Sequence, residues 1–91
     1  MNPKIKAEIL RIATQYGGRN IRIFGSFARG EERPDSDIDL LIDFEDGRSL
    51  LDLIGVKQDL EDILGRKVDV VTERGLNKYL RDNILAEAVP L

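Results

Sequence analysis

The feature that most constrains this 91-residue chain is an alternation in residues 37–44, Asp-Ile-Asp-Leu-Leu-Ile-Asp-Phe, broken only at Leu41. Successive side chains of a β-strand point to opposite faces, so Ile38, Leu40, Ile42 and Phe44 share one face and Asp37, Asp39, Leu41 and Asp43 the other. A helix would scatter both sets around its circumference. The chain must therefore build a sheet whose apolar face is covered and whose opposite face carries a row of carboxylates.

The rest of the sequence supplies the cover. Asn2-Pro3 reads as an N-cap followed by proline at the first helical position. Ile5, Ile9, Ile12, Ala13 and Tyr16 then recur at three- and four-residue steps, giving an amphipathic helix over 3–16 that Gly17-Gly18 ends. Residues 20–24, Asn-Ile-Arg-Ile-Phe, alternate as a strand. Gly25-Ser26 interrupts, and a short helical turn follows around 27–30. Ser49 and Asp52 form a capping arrangement ahead of a second amphipathic helix (Leu50, Leu53, Ile54, Leu60, Ile63, Leu64), closed by Gly65. Residues 67–72, Lys-Val-Asp-Val-Val-Thr, read as a third strand, and Leu76, Leu80, Ile84 and Ala88 mark a C-terminal helix. The expected fold is a small α/β (α+β) domain over residues 1–91, with a mixed sheet of at least three strands packed by helices. The link between the first two strands is too short for a crossover helix, which makes that pair antiparallel.

Composition narrows the chemistry. The chain is 42% hydrophobic and 34% charged, as expected for a globular domain, and has no apolar run near the roughly 20 residues needed to span a membrane. It contains no cysteine, so no disulfide framework or thiolate metal site, and the expected address is cytoplasmic. It also contains no histidine, which removes the commonest general base. Catalysis would fall to carboxylates assisted by metal ions. A net charge of −3 and five scattered aromatic residues argue against direct nucleic-acid binding.

Asp37 and Asp39 lie about 6.6 Å apart along one face of a strand, a spacing that could hold a hard, oxygen-seeking cation such as Mg²⁺. A chain this rich in aspartate contains about one Asp-x-Asp by chance, so the pair alone decides nothing. Gly25-Ser26 sharpens it. A glycine leaving a strand allows close backbone approach to a ligand, and a serine opening a helical turn offers a hydroxyl and free N–H groups to phosphate oxygens. Finding Gly-Ser ten residues ahead of Asp-x-Asp by chance has odds of roughly 3 in 1,000. Asp43 shares the face of the pair but lies some 13 Å beyond Asp39, too far to join one metal pair. Arg29 sits one helical turn after Ser26, where it can steady phosphates or brace the loop. Arg19, Arg22 and Arg33 read as solvated surface.

Gly25-Ser26, ten residues and then Asp37-Ile38-Asp39 resemble the signature of the polymerase-beta-like nucleotidyltransferase superfamily. The fuller strings GSFARG and SDIDLLIDF, with KVDVVT and the closing ILAEAVPL, resemble its minimal prokaryotic members over nearly the whole chain. The resemblance implies that Asp37 and Asp39 bind two Mg²⁺ ions (or Mn²⁺), that Asp69 completes the metal site and serves as base, and that Gly25, Ser26 and Arg29 bind the nucleotide. It further implies ATP as donor and a helical HEPN-domain toxin as partner, silenced by adenylylation of a tyrosine, with the chain as antitoxin. Two other readings stand beside it: silencing of the partner by masking alone, and transfer to a small molecule or an RNA end. The sequence leaves homo-oligomerisation open.

Overall fold

The computed structural model describes residues 1–91. Helix α1 (Pro3–Gln15) begins where the Asn2 side chain accepts the Lys4 N–H at 2.8 Å, and Gly17 ends it with a φ of +82°. Strand β1 (Gly18–Phe24), the four-residue α2 (Ser26–Arg29) and strand β2 (Ile38–Phe44) follow. Helix α3 (Leu50–Leu64) carries the anticipated capping box, in which Asp52 accepts the Ser49 N–H at 2.8 Å and Ser49 accepts from the first turn. Strand β3 (Val68–Val71), helix α4 (Lys78–Glu87) and the two-residue β4 (Val89–Pro90) complete the chain.

The sheet order is β3-β2-β1-β4. β1 runs antiparallel to both β2 and β4, and β2 runs parallel to β3 through the α3 crossover, so the sheet is mixed as expected. Ile38, Leu40 and Ile42 of β2, Ile21 and Ile23 of β1, and Val68 and Val70 of β3 bury one face against Ile9, Ile12 and Ala13 of α1 and Val56 and Leu60 of α3. The helices lock together at Gly55, where a Cβ would collide with the Tyr16 ring, and the Tyr16 hydroxyl donates to Asp59 at 2.6 Å. At the free edge of β3, the Val68 N–H donates to the Glu61 carboxylate (3.0 Å) and the Val68 carbonyl accepts from the Lys57 ammonium (2.7 Å). Those bonds close the edge to a further strand there.

Two features depart from the sequence expectation. β4 was not anticipated: two residues carry no periodicity, and Pro90 is tolerated only because β4 is an edge strand. The C-terminal helix is also not a core helix. Leu76 lies outside it, Leu80 is 55% exposed, and none of its residues is buried. Its path explains this. It must travel from β3 at one edge to β4 at the other, and it crosses the carboxylate-bearing face. Arg81 lies 3.8 Å from Glu73 at its start, and Glu87 pairs with Arg29 at 2.8 Å at its end. Leu41, on that same face, is fully buried although it stands outside the main core cluster. No helix is long and apolar enough to cross a membrane.

Candidate active site

Gly25 joins the two halves of the motif. Its φ of 73° and ψ of −150° belong to a region essentially reserved for glycine, and a Cβ there would strike the Asp39 carboxylate. The turn out of β1 and the aspartate of β2 therefore occupy one another's space, and only a glycine permits it. Ser26 opens α2 immediately afterwards, and the Ser26 carbonyl accepts the Glu31 N–H at 2.9 Å as the chain leaves the helix. Arg29, in the last turn, donates to Glu31 at 3.1 Å and to Glu87 at 2.8 Å.

Asp39 and Asp69 are direct neighbours across the parallel β2–β3 pair, and Asp37 precedes β2 on the same side. The cluster is short of positive charge. Lys67 stands 3.9 Å from Asp37 and Lys57 3.9 Å from Asp69, both at the outer limit of an ion pair. Asp39 is paired with no cation. Its partial burial first, and then the charges of Asp69 and Asp37, push its carboxyl up to about 6; a hydrogen bond shared with Asp69 and the charge of Glu87 add to this. As they stand, the acidic side chains do not converge on one point in a group of three or more. The donor chemistry nevertheless suits a hard divalent cation: oxygen ligands only, adjacent carboxylates, and excess negative charge that such an ion would relieve. Gly25 leaves the space beside Asp39 free of a side chain.

The other end of the same face is arranged differently. Arg22 is 8% exposed and donates to Asp43 at 3.0 Å, to Glu73 at 2.9 Å and to the Asn20 carbonyl at 3.0 Å. Asn20, at a positive φ of 48° in an irregularity of β1, also donates to Asp43 at 3.1 Å. The expectation that Arg22 is solvated surface is thus wrong. It sits on an inner strand beneath the crossing chain, and the two carboxylates make its burial possible. Asp43 is committed to that network and takes no part in the Asp37–Asp39–Asp69 cluster. Arg19 and Arg33 are exposed, as anticipated, Arg19 making only a 3.3 Å pair with Glu45. A pocket of about 500 Å³ lies beside Asp43 and Glu73, lined also by Arg48, Thr72 and Arg74. It contains no motif residue.

Glu87 was not singled out in the sequence. Its chain neighbourhood belongs to α4, and nothing local signals that the helix returns its last turn to Arg29 and the aspartates. Lys57 and Lys67 were likewise missed, since their relation to Asp69 and Asp37 depends on how α3 and its turn dock against β3.

A family model for the nucleotidyltransferase domain matches residues 4–91. The chain belongs to that family. Its relatives include a Methanocaldococcus jannaschii protein named as a protein adenylyltransferase, 46% identical over 86 residues that span 94% of this chain and 92% of the relative. The protein adenylyltransferase MntA of Thermococcus cleftensis is 43% identical over 75 residues, 82% of this chain and 76% of its own. A solved structure described as a minimal nucleotidyltransferase superposes with a TM-score of 0.83 at 50% identity, covering 97% of this chain and 89% of the other. A complex from Shewanella oneidensis, a tri-AMPylated HEPN toxin with its MNT antitoxin, shares the fold (TM-score 0.75, 20% identity, 99% and 71% coverage). This nucleotidyltransferase domain is accordingly an enzyme of the minimal class, as its Gly-Ser and Asp-x-Asp strings led one to expect.

Proposed function

We propose that this nucleotidyltransferase transfers AMP from ATP to a tyrosine of a helical HEPN toxin and so acts as its antitoxin. The observation that carries the reading is the carboxylate cluster at Asp37, Asp39 and Asp69, which the fold leaves without a close cation and packs directly against the Gly25 backbone. The names of the adenylyltransferase relatives and the AMP-bearing toxin of the structural neighbour support the choice of donor and acceptor.

In this reading the Gly25-Ser26 backbone and the Ser26 hydroxyl hold the β- and γ-phosphates, and Arg29, steadied by Glu31 and Glu87, lies at the far end of the same turn. Asp37, Asp39 and Asp69 hold two Mg²⁺ ions, with Mn²⁺ able to substitute; bound metal supplies the charge that stabilises the departing pyrophosphate. The acceptor's phenolic oxygen attacks the α-phosphorus, the bond to the pyrophosphate oxygen breaks, and Asp69 accepts the phenolic proton in a chain that has no histidine. Most of the rate enhancement then comes from positioning and charge compensation.

The test supplies α-phosphate-labelled ATP and Mg²⁺ to the purified protein with lysate of its source cell, beside Asp37→Asn. Label on one protein band, lost in the variant, is the expected outcome. Label on RNA or a small molecule would replace the acceptor, and inhibition of a bound partner with no label at all would reduce the role to masking.

A further inference from the structure

Residues 31–37 connect α2 to β2 and form no helix or strand. A turn closes within the segment, where the Ser36 hydroxyl accepts the Arg33 N–H at 2.7 Å and the Arg33 carbonyl accepts the Ser36 N–H at 2.9 Å. The segment's first residue, Glu31, is held to α2 by the Ser26 carbonyl and Arg29, and beyond it the support comes from the turn between α3 and β3. There Gly65 takes a φ of +65° and lets the chain reverse. Arg66 then donates from Nη2 to the Pro34 carbonyl at 2.6 Å, while its guanidinium carbon lies 5.6 Å from the centre of the Phe27 ring. Lys67 follows, with its carbonyl accepting the Ile38 N–H at 3.0 Å and its ammonium 3.9 Å from Asp37.

We propose that Arg66 is a positioning residue for the nucleotide site, clamping the loop before Asp37 to the helix that follows Ser26. Phe27 is the neighbour of Ser26, and Pro34 stands three residues before Asp37, so one guanidinium spans both halves of the motif. A planar, forked cation is suited to lying against a ring while donating sideways to a carbonyl. The ten residues between Gly25-Ser26 and Asp37 would otherwise leave the separation of phosphate grip and carboxylates to a loop with little internal bonding. This inference rests on the nucleotide reading of the site given above.

The test uses the full chain with Arg66→Ala and Arg66→Lys, and Asp39→Asn as the reference for a disabled site. Mn²⁺–ATP binding is followed by electron paramagnetic resonance, and amide hydrogen exchange is compared between residues 31–38 and α3. In Arg66→Ala, Mn²⁺–ATP affinity should fall about tenfold, as for lost supporting contacts around a metal site. Exchange should quicken in 31–38 while α3 stays protected. Arg66→Lys, which keeps a donor but not the plane, should fall between wild type and Arg66→Ala. Wild-type affinity in Arg66→Ala, whatever the loop exchange, would overturn the positioning role and leave only a surface contact. If Arg66→Ala exposes α3 as well, Arg66→Lys decides: undiminished Mn²⁺–ATP affinity there overturns the role. Failure of the wild type itself to bind Mn²⁺–ATP would instead refute the nucleotide reading, and this inference with it.

Discussion

One face of one sheet carries two carboxylate groups that the fold treats in opposite ways. At one end, Asp43 and Glu73 share the buried guanidinium of Arg22 at 3.0 and 2.9 Å. At the other, Asp37, Asp39 and Asp69 have only two lysines at 3.9 Å between them, and Asp39 is held near a carboxyl pKa of about 6. Arg22 stands opposite Leu41, two residues from both Asp39 and Asp43, and its guanidinium turns to Asp43. The contrast separates structural charge from charge kept available for a ligand. A neutralised pair adds to stability, whereas an unneutralised cluster lowers stability until something positive binds.

The contrast can be broken most severely by exchanging which end is disabled. Asp39→Asn should reduce nucleotidyl transfer by at least about a hundredfold, the scale of losing a key electrostatic group in an active site. Asp43→Asn should keep transfer within a few-fold of wild type when initial rates are compared at a temperature where both are folded. Next in size is the structural end. Arg22→Ala leaves two carboxylates without their shared donor and should cost about 1–3 kcal/mol, roughly 5–15 °C in melting temperature for a chain of this size.

The pH dependence sharpens the comparison. Asp39 has its folded pKa raised from 3.8 to about 6, so between those values the folded chain holds a proton that the unfolded chain has released. Its contribution to stability is therefore present below about pH 4 and is lost as pH rises through about 6. Without metal, Asp39→Asn should melt higher than wild type at pH 7.5, and that advantage should vanish at pH 4. The smallest effect belongs to Glu87→Gln. Removing that charge should shift the Asp39 titration, read by NMR of the metal-free protein, to lower pH, because Glu87 is among the groups that raise it.

The sequence was most informative where a pattern was local. Period-two alternation in 37–44 set the faces of β2, Ser49 and Asp52 formed the capping box, and the short link after β1 required an antiparallel partner. Val68 and Val70 turned inward and left Asp69 facing Asp39, as their alternation implied. What escaped was decided by contacts between stretches far apart in the chain. Arg22 in an alternating strand reads like any surface arginine, and its burial depends on Asp43 and Glu73 being brought to it from two other stretches of chain. Leu41 shares the face of the aspartates, yet it is fully buried. Arg66 and Glu87 touch the motif only through tertiary contacts, for which no spacing rule exists.

The most direct measurement is the melting temperature with and without Mg²⁺ and ATP at pH 7.5, in wild type, Asp39→Asn and Asp43→Asn. A ligand that binds only the folded state raises the melting temperature by mass action, each protein serving as its own baseline. A clear rise is expected for wild type and Asp43→Asn, and none for Asp39→Asn. An undiminished rise in Asp39→Asn, or its loss in Asp43→Asn alone, would mean that the ligand is held at the neutralised end and that the unpaired aspartates are not the site.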